Sequence, residues 1–160
     1  MVKIHKKNFV DFCIILAIFL IDRISKILMI NYSYSNDGKN YLLTSFINLE
    51  LIWNDGIAFG MLSSQKGIYY NSISLLIIII TIIIFFIMIR SSGVQKYSFM
   101  MIFGGSLGNV FDRLFYASVP DFIDIHFNNF HWFIFNVADI FITLGVLILI
   151  YLEFYKKSDI

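Results

Sequence analysis

Charge is scarce in this chain of 160 residues: Asp, Glu, Lys and Arg make up 14% of it, against roughly 25% in a soluble domain. A formal net charge of +1 leaves no basic footprint, so nucleic acid is excluded as a partner. There is one cysteine, Cys13, and therefore no internal disulfide. It sits in an apolar run, where a small packing side chain is the simplest role, and the preceding Val10-Asp11-Phe12 does not look like a lipidation site. One proline and nine glycines argue against disorder. The histidines, His5, His126 and His131, lack any His-Glu-x-x-His spacing, so no metal site and no cofactor are expected. Ser25 and Lys26 are adjacent and would face different ways on a helix, which removes a Ser/Lys nucleophile.

What is present is apolar sequence: 59% of residues are hydrophobic. Four segments reach the roughly 20 residues that a span requires, near 9–30, 69–89, 97–116 and 134–153. The first is too long for a cleavable h-region and lacks a small-residue cleavage site, so it reads as a retained anchor. Lys3, Lys6, Lys7, Arg90, Lys96, Lys156 and Lys157 fall on one side, and only Lys39 and Lys66 on the other. By the positive-inside rule both termini are cytoplasmic, with 31–68 and 117–133 outside. The expected fold class is thus an all-α membrane protein, one domain over 1–160, with four transmembrane helices. The outer segments alternate like strands. Ile47, Leu49, Leu51 and Trp53 oppose Asn48 and Glu50, and Asp124 to Phe133 forms a second alternating stretch around Asn128-Asn129. A small outer β-cradle at the membrane surface follows.

The few polar residues within the spans gather in the outer leaflet. With a rise of about 1.5 Å per residue, Asp22 lies about 12 Å below the outer face, Asn109, Asp112 and Arg113 within roughly 10 Å, and Asp139 about 8 Å below the start of its helix. Lys26, one turn nearer the surface than Asp22, can snorkel. Gly105, Gly108, Asn109 and Asp112 share a helix face. Plain packing accounts for Gly104 and Gly105 as well as function does. Asp22 with Lys26 reads as a structural ion pair, and Asp112 with Arg113 either as a buried pair or, through the Arg fork, as a carbonyl binder. Asn136 suits a helix N-terminus. Asp124 reads as a solvated strand residue close enough to rival Asp121. Intramembrane carboxylates are costly and mark function. Without a metal or nucleophile, two of them suit water activation, one ionised as base and one protonated.

Five motifs in order carry a resemblance. They are Asp22-Arg23-Ile24-Ser25-Lys26, Asn54-Asp55-Gly56-Ile57-Ala58-Phe59-Gly60, Gly104 to Arg113, Val119-Pro120-Asp121-Phe122, and Phe135-Asn136-Val137-Ala138-Asp139. Together they resemble lipoprotein signal peptidase (signal peptidase II), a family of bacterial membrane aspartyl proteases. The resemblance implies Asp121 and Asp139 as catalytic dyad. It implies Asn54, Gly56, Gly108, Asn109, Arg113 and Asn136 as substrate-binding residues, with Asp22, Lys26 and Asp112 in support. It further implies a diacylglyceryl-modified prolipoprotein substrate cut before its lipidated cysteine. The setting is the bacterial cytoplasmic (inner) membrane, with membrane lipids as surroundings and the chain a monomer. Pro120, at the variable position before Asp121, fixes the local backbone and removes a donor. A proton-coupled transporter would need polar groups through the whole bilayer or inverted repeats, and a purely structural membrane partner leaves the polar layer unexplained.

Overall fold

The computed structural model describes residues 2–56, 67–128 and 130–157. Ile57 to Gly60 of the second motif, and Asn129 of the expected turn, lie outside these. The elements in chain order are α1 (Val2–Ser35), β1 (Tyr41–Leu42), β2 (Ile47–Asn54), α2 (Ile68–Arg90), α3 (Gly93–Tyr116), β3 (Val119–Phe127), β4 (Phe130–Phe135) and α4 (Val137–Lys157). Four helices and one antiparallel sheet, ordered β1-β2-β3-β4, supply the expected elements, and among the described residues two of the four expected spans meet the length and hydropathy of a membrane crossing.

The helices form because long apolar runs satisfy their own backbone groups. Tyr70–Arg90 and Val137–Tyr155 have the length and hydropathy to cross a membrane. The bundle is inverted relative to a soluble one. Large apolar side chains such as Leu75, Ile79, Ile83 and Phe86 face outward, while Asp22, Lys26, Asp112 and Asn136 are fully buried. α3 packs against each of the other three helices, and its glycines make this possible. A Cβ at Gly104 would meet Ile18 of α1 at 2.9 Å, and one at Gly105 would meet the Ala138 carbonyl of α4 at 2.6 Å. Small residues at such crossings let backbones approach.

α3 ends at Ala117 in the left-handed conformation, φ 54°, which turns the chain directly into β3. β3 is the hub of the sheet, pairing with β2 on one side and β4 on the other. The β2–β3 ladder slips between Leu49 and Ile52, so the simple alternation expected over 47–53 is broken there. β3 also begins earlier than the alternation suggests, taking in Asp121. α4 begins at Val137 rather than near 134, because Phe133, Ile134 and Phe135 extend β4 instead. A run of aromatic and β-branched residues fits a pleated surface as well as a helix. Asp139 therefore lies in the first turn of α4, about 3 Å from its start, not about 8 Å below it.

Candidate active site

Asp139 and Asp121 meet where the sheet hands the chain to α4. Asn136 is the residue before the helix, and its side-chain oxygen accepts the Asp139 N–H at 3.1 Å. In return Asp139 Oδ2 accepts the Asn136 N–H, also at 3.1 Å. This reciprocal pair is a capping box with an aspartate in the acidic place. The Asn136 amide also reaches the second carboxylate, since its Nδ2 donates to Asp121 Oδ1 at 2.6 Å. One buried asparagine thus caps the helix, positions one carboxylate and holds the other.

The second oxygen of each carboxylate is also tied. Asn54, at the end of β2, donates through Nδ2 to Asp121 Oδ2 at 2.8 Å, while its own oxygen accepts the Gly56 N–H at 2.9 Å. Asn109 of α3 donates to Asp139 Oδ1 at 2.8 Å. Burial pushes the Asp121 carboxyl up to about 6, and the negative charge of Asp139 adds to it, against the lowering effect of the two amide donors. Its neighbour Pro120 is fully buried and fixes the backbone that leads into Asp121.

Behind the dyad lies a buried ionic network. Lys26 Nζ donates to Asp22 Oδ2 at 2.9 Å, Asp112 Oδ2 at 2.6 Å and Asn109 Oδ1 at 2.9 Å, which uses all three ammonium donors. Arg23 adds an ion pair to Asp112 at 2.6 Å and rests over the Phe111 ring at 4.9 Å. Asp22 also reaches α4, accepting the Ala138 N–H at 3.0 Å. Three expectations change here. Lys26 does not snorkel, because three oxygen acceptors hold it inside. Asp112 pairs with Lys26 and Arg23 rather than Arg113, since adjacent helical residues point about 100° apart. Arg23, which had no assigned role, belongs to the network. Its signal was present as a second cation one residue from Asp22.

A cleft of about 310 Å³ opens over the dyad, with Asn54, Asn109, Arg113, Asn136 and Thr143 among its lining. Arg113 donates through Nη2 to the Gly56 carbonyl at 2.8 Å. Its buried Nε and Nη1 have no partner among the described residues. Gly56 and Gly108 are not in the cleft wall. Gly56 anchors Asn54 and Arg113, while Gly108 lies against Asp22, where a Cβ would stand 2.3 Å from Oδ2. Beside the dyad an apolar groove is lined by Trp132, Phe133, Ile140 and Leu144. Asp124 is not solvated. It is fully buried and apart from the cleft, with His131 Nδ1 at 2.8 Å from its Oδ2.

Residues 14–155 match the model of the family described as signal peptidase (SPase) II. The chain is 48% identical to a lipoprotein signal peptidase of Pelagibacter ubique, covering 98% of this chain and 97% of that one. It is 42% identical to a lipoprotein signal peptidase of Burkholderia vietnamiensis, over 86% and 83%. Its fold is similar to that of a solved bacterial membrane enzyme, with TM-score 0.73 and 25% identity over 94% of this chain and 90% of the other.

Proposed function

The chain belongs to the signal peptidase II family, and from that premise we propose that it is a membrane aspartyl endopeptidase acting on diacylglyceryl-modified prolipoproteins. It removes the signal peptide by cutting before the lipidated cysteine. The observation that carries this reading is the pair of carboxylates, Asp121 and Asp139, bound to the same Asn136 at the floor of one cleft.

The chemistry needs a base, an acid and a water. Asp139 takes a proton from the water, whose oxygen attacks the scissile carbonyl carbon. Asp121, with its carboxyl raised to about 6, carries the dyad's proton and donates it to the carbonyl oxygen. The tetrahedral intermediate then collapses. The C–N bond breaks, the proton held by Asp139 goes to the leaving amine of the cysteine, Asp121 takes back a proton from a hydroxyl of the intermediate, and the signal peptide leaves with a new carboxyl group. Arg113 offers its free N–H groups to a peptide carbonyl, which fixes the register of the bond. The apolar groove beside Asp139 suits acyl chains. No cofactor or metal takes part.

The setting is the bacterial cytoplasmic membrane, with four spans, both termini inside and the cleft at the outer leaflet. The whole chain is one domain and works as a monomer. The lipid on the substrate then holds the scissile bond at the depth of the dyad.

The test is incubation of the purified protein with a diacylglyceryl-modified precursor, followed by release of the signal peptide. Asp121→Asn and Asp139→Asn each abolish release while the protein remains folded. EDTA leaves turnover intact. Near-normal turnover in either variant would sink the dyad assignment, and loss of activity with EDTA would replace it with metal chemistry.

A further inference from the structure

The outer sheet holds a second polar cluster that the cleft does not use. Asp124 of β3 is fully buried, and His126 follows two residues later on the same strand. His131 of β4 stands directly opposite His126 in the ladder. The two imidazoles stack at a centroid distance of 5.3 Å and an angle of 28°. Both face the same carboxylate oxygen: Asp124 Oδ2 lies 2.8 Å from His131 Nδ1 and 3.6 Å from His126 Nδ1. One donor atom from each of the three residues falls within 4.8 Å of the others.

This cluster is under-satisfied for its burial. Among the described residues, Asp124 Oδ1 and His126 Nδ1 are buried without a hydrogen-bond partner. Buried polar atoms in native structures are nearly always paired, and a carboxylate with half its acceptors empty is expensive. Two imidazoles and one carboxylate make a donor set suited to a zinc-class divalent ion. Tetrahedral ligation at bonds of about 2.1 Å places donors roughly 3.4 Å apart, a spacing that the two Asp124–His separations bracket. His131 is more than half exposed, with 57% of its side chain in solvent, so a small ring movement completes the set and leaves a path from outside. Three protein donors leave the fourth position to water.

We propose that Asp124, His126 and His131 form a binding site for one divalent transition-metal ion of the zinc class, which clips β3 to β4. None of the three lines the catalytic cleft, so the ion takes no part in peptide hydrolysis. Its effect is to hold the hairpin whose strands lead to Asp121 at one side and Asn136 at the other.

The experiment uses the full chain in detergent micelles, with no polyhistidine tag, stripped with EDTA and desalted. Zn²⁺ is titrated calorimetrically and Co²⁺ by visible absorption. The expected result is one ion per chain in the micromolar range or tighter, with the visible bands of four-coordinate Co²⁺. His126→Ala and His131→Ala each weaken it. Loss of an outer-shell partner alone costs roughly 10–100-fold, so loss of a direct ligand costs at least that. Zn²⁺ raises the melting temperature of the parent chain but not that of His131→Ala, which keeps normal cleavage. His5→Ala, which removes the third histidine of the sequence, changes nothing. Asp124→Asn endangers the sheet itself, so the exposed His131 carries the test. Absence of saturable one-to-one binding overturns the proposal, as does binding that survives both histidine substitutions.

Discussion

Gly105→Ala is the substitution whose effect can be worked most directly from distances. A Cβ at position 105 would stand 2.6 Å from the Ala138 carbonyl oxygen and 3.0 Å from Ile142 Cγ1. Ordinary contact begins at 3.4 Å, so α3 and α4 must part by about 0.8 Å to relieve the closer clash. That carbonyl belongs to the residue before Asp139, and Asp139 moves with it. The Asn109–Asp139 hydrogen bond, 2.8 Å long, then stretches to about 3.6 Å and is lost. Helix preference works in the opposite direction, since Ala is better than Gly in a helix interior by roughly 0.5–1 kcal/mol. Overpacking costs about 1–3 kcal/mol. The larger effect wins, and a net loss of about 1–2 kcal/mol follows. A misplacement near 1 Å costs on the order of 10²-fold in rate, so turnover per folded molecule falls roughly 10- to 100-fold. Gly145→Ala is the control. Its Cβ would meet the Ser98 carbonyl and Ile102 at 2.6 Å, the same kind of clash, but about 9 Å further along α4. It loses comparable stability and keeps its turnover. Both are read by thermal unfolding in detergent beside cleavage of a lipid-modified precursor. A Gly105→Ala protein with parental melting and parental turnover refutes the close approach. Equal loss of turnover in the two variants refutes its link to Asp139.

Lys26→Met leaves Asp22 and Asp112 beside each other with Arg23 as their remaining cation. Removing one partner from a buried ionic network costs about 3–5 kcal/mol, read as a lower melting temperature in micelles. Asp121 makes stability depend on pH. Its folded value of about 6 lies above the ordinary 3.8, so the folded state binds the proton more tightly. The favourable contribution is complete below pH 3.8 and is lost as pH rises through 6, in total on the order of 3 kcal/mol. Chemical unfolding at pH 4 and pH 7 measures this slope, and Asp121→Asn flattens it. Cleavage follows the same proton and declines as pH rises through about 6, while a rate that climbs across that range would contradict Asp121 as the proton donor.

The helices were legible because hydrophobic length is a strong signal that no tertiary contact needs to supply. Asp121, Asp139, Asn109 and Asn136 stood out by type and depth, the family resemblance chose Asp121 and Asp139 as the pair and added Asn54, and the cleft brings them together. What the sequence did not carry was partner identity. Lys26 beside Asp22 looks like a surface-reaching cation until α3 delivers Asp112 and Asn109 to its other two donors. Asp124 looks solvated because its strand alternates, but the pairing of β4 with β3 folds His131 back onto it. The start of α4 was misplaced because Phe133-Ile134-Phe135 satisfies either periodicity, and only that same strand pairing decides the matter.

The buried ionic network has a consequence in simple charge counting. Asp22 and Asp112 carry two negative charges, and Arg23 and Lys26 carry two positive ones. That scaffold is electrically neutral as a whole, although its Lys26 is near enough to act on the Asp121 carboxyl. Among the described residues lining the cleft, Arg113 is the one cation. A dyad with one proton carries a single negative charge, and with Arg113 these groups sum to zero. A second ionisation leaves one uncompensated charge; burial, and after it the charge of Asp139, delay that step to about pH 6. Below about pH 6 the lining cation therefore balances a pair that keeps one proton, which is the charge state the proposed chemistry requires.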